Sequence, residues 1–206
     1  TVEALPVFSI TNPSLVCENI TVDITDDAVT NFVSGLDFTY WTDIDATNLF
    51  TTPTTATAGT YYIKGTSLTG ALCSTILPVV VTSKPLPIVS VNNPIICNGQ
   101  SATVIATPNI IGAYNYSWTN LPPGTINPGN VASFSTTIAG NYTVQITEQN
   151  SPFCISLTDT GTVTVNPIPT AIIFGGGNVC QNETSNLITF TGAGGTAPYI
   201  FTYTLN

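Results

Sequence analysis

Apolar and polar residues alternate along this chain in short runs, the pattern of strands with one buried face. Between residues 86 and 167 these runs are "PIVSVN" (87–92), "SATVIAT" (101–107), "YNYSWT" (114–119), "VASFST" (131–136), "GNYTVQITE" (140–148) and "TGTVTVN" (160–166). Pieces rich in Gly, Pro and Asn separate them, and no stretch keeps a helical period. The pattern predicts an all-β protein whose short strands form a β-sandwich.

The chain matches itself at an offset of 81 or 82 residues, which indicates tandem repeats. "LPVFSITNP" (5–13) aligns with "LPIVSVNNP" (86–94), "TAGTYYI" (57–63) with "IAGNYTV" (138–144), and "VTSKPLP" (81–87) with "VTVNPIP" (163–169). We expect β-sandwich repeats of about 82 residues. Repeat 1 covers 6–85, repeat 2 covers 86–167, and 168–206 is the N-terminal part of repeat 3; residues 1–5 are the tail and linker of a preceding repeat.

An aromatic–x–aromatic pair recurs in the third strand of each repeat and predicts inter-sheet core. The pairs are Phe38 and Tyr40, Tyr116 and Trp118, and Phe201 and Tyr203. Trp41 follows Tyr40, so it faces the opposite side of its strand. Two readings stay open for Trp41: contact with a sugar ring or a neighbouring protein, or cover by a loop or the adjacent repeat.

Five cysteines are spaced in step with the repeats. Cys73 follows Cys17 by 56 positions, and Cys154 follows Cys97 by 57. With no CxxC pair and no His, this spacing predicts disulfides rather than zinc: Cys17–Cys73 and Cys97–Cys154, one bond in each repeat. Cys180 opens repeat 3, and we expect it to be unpaired because truncation removes a partner that would lie about 57 positions on. Disulfides favour an oxidising, extracellular compartment.

Charge narrows the function classes. Charged residues are 6% of the chain, Lys64 and Lys84 are its only basic residues, and the formal net charge is −9. Nucleic acids and anionic membrane surfaces require clustered Lys and Arg, so both are excluded as partners. No apolar run reaches the length of a membrane-spanning helix, so we expect no membrane insertion. The lack of His removes Ser–His and Cys–His nucleophile pairs, and we predict a non-enzyme with no cofactor.

Two acidic loops of repeat 1 are the only candidate metal sites. They are "DITDD" (23–27) and "DIDATN" (43–48), and Asp43 and Asp45 are the candidate calcium ligands. Neither loop matches an EF-hand, and a solvated acidic loop explains the same residues. The sequence favours the solvated loop.

Several motifs together resemble a known family. "VCENIT", "ICNGQS" and "VCQNET", then "AGTYYI" and "AGNYTV", then "VTSKPLP" and "VTVNPIP" resemble the Ig-like and PKD-like repeats of giant Bacteroidota cell-surface adhesins. The SprB-type gliding adhesin and related type IX secretion cargo are examples. The resemblance implies a cell-surface protein used for attachment or gliding motility. It implies neighbouring repeats of the same chain, surface polysaccharide and the secretion or gliding machinery as partners.

The linkers "KPLP" and "NPIP" hold two prolines each and no glycine, so they favour short, stiff connections. Together with the resemblance, they predict a structural stalk segment of a long secreted adhesin. Two alternatives remain. One is a carbohydrate-binding module that uses Trp41 and the acidic loops. The other is a subunit of a self-assembling extracellular filament, in which a partner's strand completes repeat 3.

Overall fold

The computed structural model describes residues 2–31 and 33–204. Within them the secondary structure is fourteen strands, one short α-helix and one short 3-10 helix. The prediction of an all-β fold is confirmed. The chain divides into two compact units: unit 1 is Thr1–Pro87 with Thr147–Ser156, and unit 2 is Ile88–Ile146 with Leu157–Asn206. The division into repeats by sequence is a separate matter and stays a prediction.

Unit 1 contains an antiparallel sheet in the order β2-β3-β4 and a parallel pair of β1 with β5. The elements are β1 (Val16–Cys17), α1 (Asp27–Thr30), β2 (Leu36–Trp41), the 3-10 helix (Pro53–Thr55), β3 (Gly59–Ser67), β4 (Ser74–Val81) and β5 (Ser83–Lys84). The Asp26 carboxylate caps α1 by accepting from the Ala28 amide at 2.8 Å. Asn31, in the left-handed region, ends it after one turn.

The core of unit 1 follows the alternation of β3, which turns Tyr61, Ile63 and Gly65 inward. Gly65 is required there because a Cβ would lie 2.8 Å from the Phe8 ring. Phe8 fills that space and meets Phe38 edge to face, with ring centroids 5.2 Å apart. The buried apolar residues are Phe8, Ile24, Val29, Ala56, Tyr61, Ile63, Val79 and Val81.

Unit 2 contains sheets in the orders β10-β8-β6 and β7-β12-β11-β9, and a separate β13-β14 hairpin. The strands are β6 (Val89–Val91), β7 (Ile95–Cys97), β8 (Ala102–Pro108), β9 (Tyr114–Thr119), β10 (Ser133–Thr136), β11 (Gly140–Glu148), β12 (Asp159–Asn166), β13 (Thr170–Gly175) and β14 (Ile188–Ala193). The six strands predicted for repeat 2 are all present. Strands β9 and β11 have the predicted bounds, because their alternation and flanking turns are the clearest in the chain.

The predicted aromatic core of repeat 2 is confirmed. Trp118 is 3% exposed, its ring lies edge to face on Phe134 at 4.9 Å, and its Nε1 donates to the Val131 carbonyl at 2.9 Å. Tyr116 is half-buried and packs against the same core. The buried members are Val89, Val91, Ala102, Val104, Ala106, Tyr114, Trp118, Tyr142, Val144, Ile146 and Val163.

A tyrosine hydroxyl closes the turn before the long central strand in the segments predicted as repeats 1 and 2. Tyr142 donates to the Ile138 carbonyl at 2.8 Å, and Tyr61, 81 positions earlier, donates to the Thr57 carbonyl at 3.1 Å. These are the tyrosines of "AGNYTV" and "AGTYYI". Equivalent sequence therefore gives equivalent local structure.

The third strand predicted around Phe201 and Tyr203 is wrong, since residues 201–204 lie outside any strand. Both rings instead lie near Phe190 of β14, with centroids 5.5 and 5.2 Å away. None of the residues described between 168 and 204 is buried. A lone hairpin cannot bury an apolar face against a second sheet, so the aromatic pair finds no core.

Candidate functional site

The structure bonds Cys17 to Cys154, which lie 137 positions apart in sequence and have Cα atoms 5.5 Å apart. Cys73, Cys97 and Cys180 are free thiols. The predicted pairs Cys17–Cys73 and Cys97–Cys154 are therefore wrong. The bond instead ties the start of repeat 1 to a hairpin of repeat 2, and both cysteines lie in unit 1.

The reason is the parallel pairing of β1 with β5. In that register Cys17 lies beside Lys84, at the end of the last strand of repeat 1. Cys73 directly precedes Ser74, at the start of β4. Ten residues of extended chain from Ser74 to Lys84 span about 33 Å, whereas a disulfide requires Cα atoms within about 7 Å. Equal spacing marked the equivalent cysteines of the two repeats correctly, but the two cysteines within one repeat lie at opposite ends of it.

Cys154 closes a tight turn, which we name the Cys154 hairpin (residues 148–154). The Glu148 amide donates to the Cys154 carbonyl at 3.0 Å, and the Phe153 amide donates to the Asn150 carbonyl at 2.8 Å. Phe153 is left-handed, with φ 58°. The Cys154 side chain is fully buried, so the turn presents its sulfur to Cys17 away from solvent.

An ion pair lies beside the disulfide. Glu148 continues the inward row of Tyr142, Val144 and Ile146 on β11 and is itself 8% exposed. Lys84 Nζ donates to Glu148 Oε1 at 2.7 Å. Glu148 Oε2 is buried and has no hydrogen-bond partner among the described residues. Lys84 thus compensates a carboxylate that would otherwise be buried alone.

We name Cys17, Lys84, Glu148 and Cys154 the joint. Lys84 and Glu148 are functional candidates that the sequence reasoning missed. The available signal was a Glu at an inward position of an alternating strand, because such a charge needs a partner. With only two lysines in the chain, the partner could have been narrowed to Lys64 or Lys84.

Asp43 closes its own loop. Its carboxylate accepts from the Thr47 amide at 3.0 Å and from the Asn48 amide at 2.7 Å. These backbone donors hold the pKa of Asp43 below the usual range of an aspartate. Asp45 is exposed, and within residues 2–31 and 33–204 no three His, Cys, Asp or Glu side chains are grouped to hold a metal. The geometry gives Asp43 a structural role and adds nothing to the calcium hypothesis.

Trp41 lies on the outer face of β2, as the alternation predicts. It is half-buried, pairs in register with Tyr62 of β3, and donates from Nε1 to Thr39 Oγ1 at 3.0 Å. Its neighbour Tyr40 packs against the core of unit 1 instead. Burial raises the pKa of the Tyr40 hydroxyl, and the negative charge of Asp23 raises it further. Trp41 and Tyr62 therefore form a small aromatic surface outside the core.

No helix among the described residues is both long and apolar enough to cross a membrane. No protein-family model and no curated protein matches the chain. Solved structures with tandem immunoglobulin or fibronectin-like domains do match.

Titin domains I67–I69, in an E-to-A variant, are 9% identical over 93% of this chain and 77% of theirs, with TM-score 0.38. The N-terminal eight Ig domains of Down Syndrome Cell Adhesion Molecule are 11% identical over 93% of this chain and 28% of theirs, with TM-score 0.40. The fibronectin(III)-like modules of Clostridium thermocellum CbhA are 13% identical over 77% of this chain and 91% of theirs, with TM-score 0.28.

The chain spans 52% of the Sidekick-1 fragment with Ig domains 1–4 and 45% of the Dscam1 fragment with four Ig domains, which it also matches. At these identities and TM-scores, the likeness says nothing about what the chain does. The chain itself is all-β.

Proposed function

We propose that this chain is a structural stalk segment of a long secreted cell-surface adhesin, which presents a binding region for surface attachment or gliding motility. The observation that carries the proposal is the Cys17–Cys154 bond, which covalently joins the start of one repeat to a hairpin of the next. The adhesin-like sequence motifs supply the extracellular, cell-surface context. Its partners would be neighbouring repeats of the same chain, surface polysaccharide and the secretion or gliding machinery, and the proposal assigns it no catalysis.

The disulfide changes how the chain carries load. A force applied at the two chain ends passes directly from Cys17 to Cys154, so the residues between them cannot be pulled out. At full extension, 137 residues correspond to about 450–490 Å of chain. Because the disulfide prevents these residues from extending, a stalk that contains it keeps its length under load.

Single-molecule force spectroscopy, with handles at the two termini, tests this proposal. We expect the contour length released by the oxidised chain to come only from residues outside 17–154. Reduction should add about 450–490 Å. The Cys17→Ser variant should give the longer release without reductant, and Cys180→Ser is the matched control that should behave as the unchanged chain.

Two outcomes would contradict the stalk proposal. One is equal release from the oxidised and reduced chains. The other is a gain of about 370–410 Å, the length hidden by one bond within each repeat, which together would enclose 113 residues (56 and 57).

A second candidate function is a carbohydrate-binding module. The half-buried Trp41 and Tyr62 lie opposite each other on the outer face of the β2-β3-β4 sheet. Sugar rings can stack on partly exposed aromatic side chains of this kind. Affinity electrophoresis in gels that contain acidic and neutral polysaccharides tests it. Retardation that Trp41→Ala removes and Trp118→Phe keeps would favour this function over the stalk.

The third candidate, a subunit of a self-assembling extracellular filament, rests on the exposed apolar residues of β13 and β14. Ile172, Ile173 and Phe174 are each more than half exposed, and a strand from a second chain could cover them. Analytical ultracentrifugation over a range of concentrations tests it. Open-ended growth that Phe174→Ser abolishes would favour the filament.

A further inference from the structure

We infer that Cys73 and Cys97 are attachment points for neighbouring repeats of this kind, because each forms one half of the same disulfide that joins Cys17 to Cys154. The first cysteine of a repeat bonds the hairpin cysteine of the following repeat. Cys73 then takes the first cysteine of a preceding repeat, and Cys97 takes the hairpin cysteine of a following one. This pattern of bonds goes beyond the proposed function, because it holds whatever the chain presents.

The first half of the bond has the same structure in repeats 1 and 2. Cys17 pairs in parallel with Lys84, and Cys97 pairs in parallel with Asn166, the equivalent residue of the last strand. In each case the next amide donates at 2.8 Å to the carbonyl of that last-strand residue. Cys97 therefore has the same backbone surroundings as Cys17, which lies 80 positions earlier and is disulfide-bonded.

The second half is also duplicated. We name residues 67–73 the Cys73 hairpin. The Ser67 amide donates to the Cys73 carbonyl at 3.0 Å, as the Glu148 amide donates to the Cys154 carbonyl at 3.0 Å. Leu72, the residue before Cys73, is left-handed with φ 52°, close to the φ of 58° at Phe153. A non-glycine residue adopts this conformation rarely, so its recurrence before both cysteines marks one shared turn.

The linker contact is repeated as well, and it shows what lies beside Cys73. Glu3 aligns with Lys84 at the offset of 81. Lys84 contacts the Cys154 hairpin through Glu148, and Glu3 contacts the Cys73 hairpin by accepting from the Ala71 amide at 2.7 Å. In the bonded joint the first cysteine is the register partner of Lys84. A cysteine in register with Glu3 would accordingly lie next to Cys73.

The other end offers the matching space. Cys97 is exposed. It lines an open cavity within unit 2, and Asn166, Gly194 and Gly195 line the same cavity. Cys180 has the same local turn as Cys17 and Cys97, because the Glu183 amide donates to its carbonyl at 3.1 Å. Cys180 pairs with no last strand among the described residues. It therefore lacks the setting that the bond requires.

The bond forms by thiol–disulfide exchange with a low-molecular-weight disulfide such as oxidised glutathione. The thiolate of one cysteine attacks a glutathione sulfur and releases one glutathione thiolate. The second cysteine thiolate then attacks the protein sulfur of the mixed disulfide and releases the other. Two protein thiols are oxidised and one glutathione disulfide is reduced to two thiols, which take up the two protons.

A fused protein tests the inference directly. A copy of residues 88–163 is placed ahead of Thr1, so that Thr1 and Val2 take the places of Thr164 and Val165 in the copy. The protein is refolded with glutathione and mapped by non-reducing peptide mass spectrometry. We expect the copy's first cysteine to bond Cys73, Cys17–Cys154 to persist, and the copy's hairpin cysteine to be alkylated.

The inference is overturned if the copy's two cysteines bond each other, or if Cys73 stays alkylated. In the fused protein, Cys73→Ser should free the copy's first cysteine, whereas Cys180→Ser should change nothing. A second fusion covers a failure of the first to fold. It joins residues 120–167 after Thr204 to complete repeat 3, and its added hairpin cysteine should bond Cys97; a bond to Cys180, or a free thiol, would refute the inference.

Discussion

The Cys73 and Cys154 hairpins have nearly the same backbone and opposite redox states. Both close with a 3.0 Å hydrogen bond to the cysteine carbonyl and place a left-handed residue just before the sulfur. Yet Cys154 is bonded and fully buried, whereas Cys73 is a half-buried free thiol. The turn does not decide the bond. The bond depends on whether the start of another repeat lies against the hairpin.

The two hairpins also differ in charge. At the Cys154 hairpin a linker lysine, Lys84, meets the buried carboxylate of Glu148. At the Cys73 hairpin the equivalent positions are Glu3 in the linker and Ser67 in the strand, and the linker carboxylate accepts from a backbone amide instead. Each linker is thus held to its hairpin by a polar contact of its own. Both contacts join a linker residue to a hairpin, and the two linker residues are at equivalent positions. At the Cys154 hairpin the disulfide adds a covalent bond beside this contact.

The largest expected effect separates the two hairpin cysteines. Cys154→Ser removes a bond that closes a loop of 137 positions, which should lower the free energy of unfolding by about 5 kcal/mol. Cys73→Ser removes no bond and should change it by less than about 0.5 kcal/mol. Urea unfolding followed by tryptophan fluorescence measures both. Equal losses from the two variants would mean that the hairpins are equivalent in energy as well as in shape.

The next effect compares the tyrosines that close equivalent turns. Tyr142 is fully buried, and its hydroxyl contacts both the Ile138 carbonyl at 2.8 Å and Thr136 Oγ1 at 2.9 Å. Tyr142→Phe should cost about 2 kcal/mol, because the buried Thr136 and the half-buried Ile138 each lose a hydrogen bond. Tyr61→Phe, which removes a 3.1 Å bond to Thr57, should cost about 1 kcal/mol. Thermal unfolding of the two variants checks the order, and a larger loss at Tyr61 would contradict it.

A smaller effect concerns the ion pair of the joint. Lys84→Met leaves the Glu148 carboxylate, whose side chain is 10% exposed, without its partner. Because the Lys84 side chain is itself 37% exposed, we expect a loss of about 1 kcal/mol. Lys64→Met is the matched control and should stay within about 0.5 kcal/mol. Adding Glu148→Gln to Lys84→Met should recover most of the loss, and a double variant no more stable than Lys84→Met alone would disprove the pairing.

The smallest effect is the pH dependence of one loop. Backbone donors lower the folded-state pKa of Asp43 below its unfolded value. Its contribution to stability is therefore full above the usual aspartate pKa of about 3.9 and is lost as the pH falls through the lower folded value. NMR titration of the side-chain carboxyl measures this pKa. In repeat 2 an amide of strand β9 is held by an uncharged residue instead, since Asn130 Oδ1 accepts from the Tyr116 amide at 2.6 Å, and that contact should not titrate. An Asp43 pKa at or above 3.9 would contradict the loop-closing role.

The sequence predicted the strands well and the cysteine pairs badly, for one physical reason. Strand positions depend on local alternation, so β9 and β11 could be placed to the residue. Disulfide pairing depends on which strand ends meet. The parallel pairing of Cys17 with Lys84 involves two-residue strands, too short to give an alternating pattern.

Phe201 and Tyr203 teach a related lesson. They match the core aromatics of repeat 2 in sequence, but among the residues described in this segment none is buried. An aromatic pair predicts core only where a second sheet covers it. Tyr199 keeps its local contact all the same, donating to the Gly195 carbonyl at 2.8 Å, in the way that Tyr114 donates to the Ile110 carbonyl at 3.0 Å. In this segment the local hydrogen bond is kept, although the core packing of repeat 2 is not.

Non-reducing peptide mapping of the 206-residue chain, refolded with oxidised and reduced glutathione and then alkylated, tests the central claim most directly. The account predicts one disulfide-linked pair of peptides, which contain Cys17 and Cys154, and alkylated Cys73, Cys97 and Cys180. Linked peptides that contain Cys17 with Cys73, or Cys97 with Cys154, would contradict it.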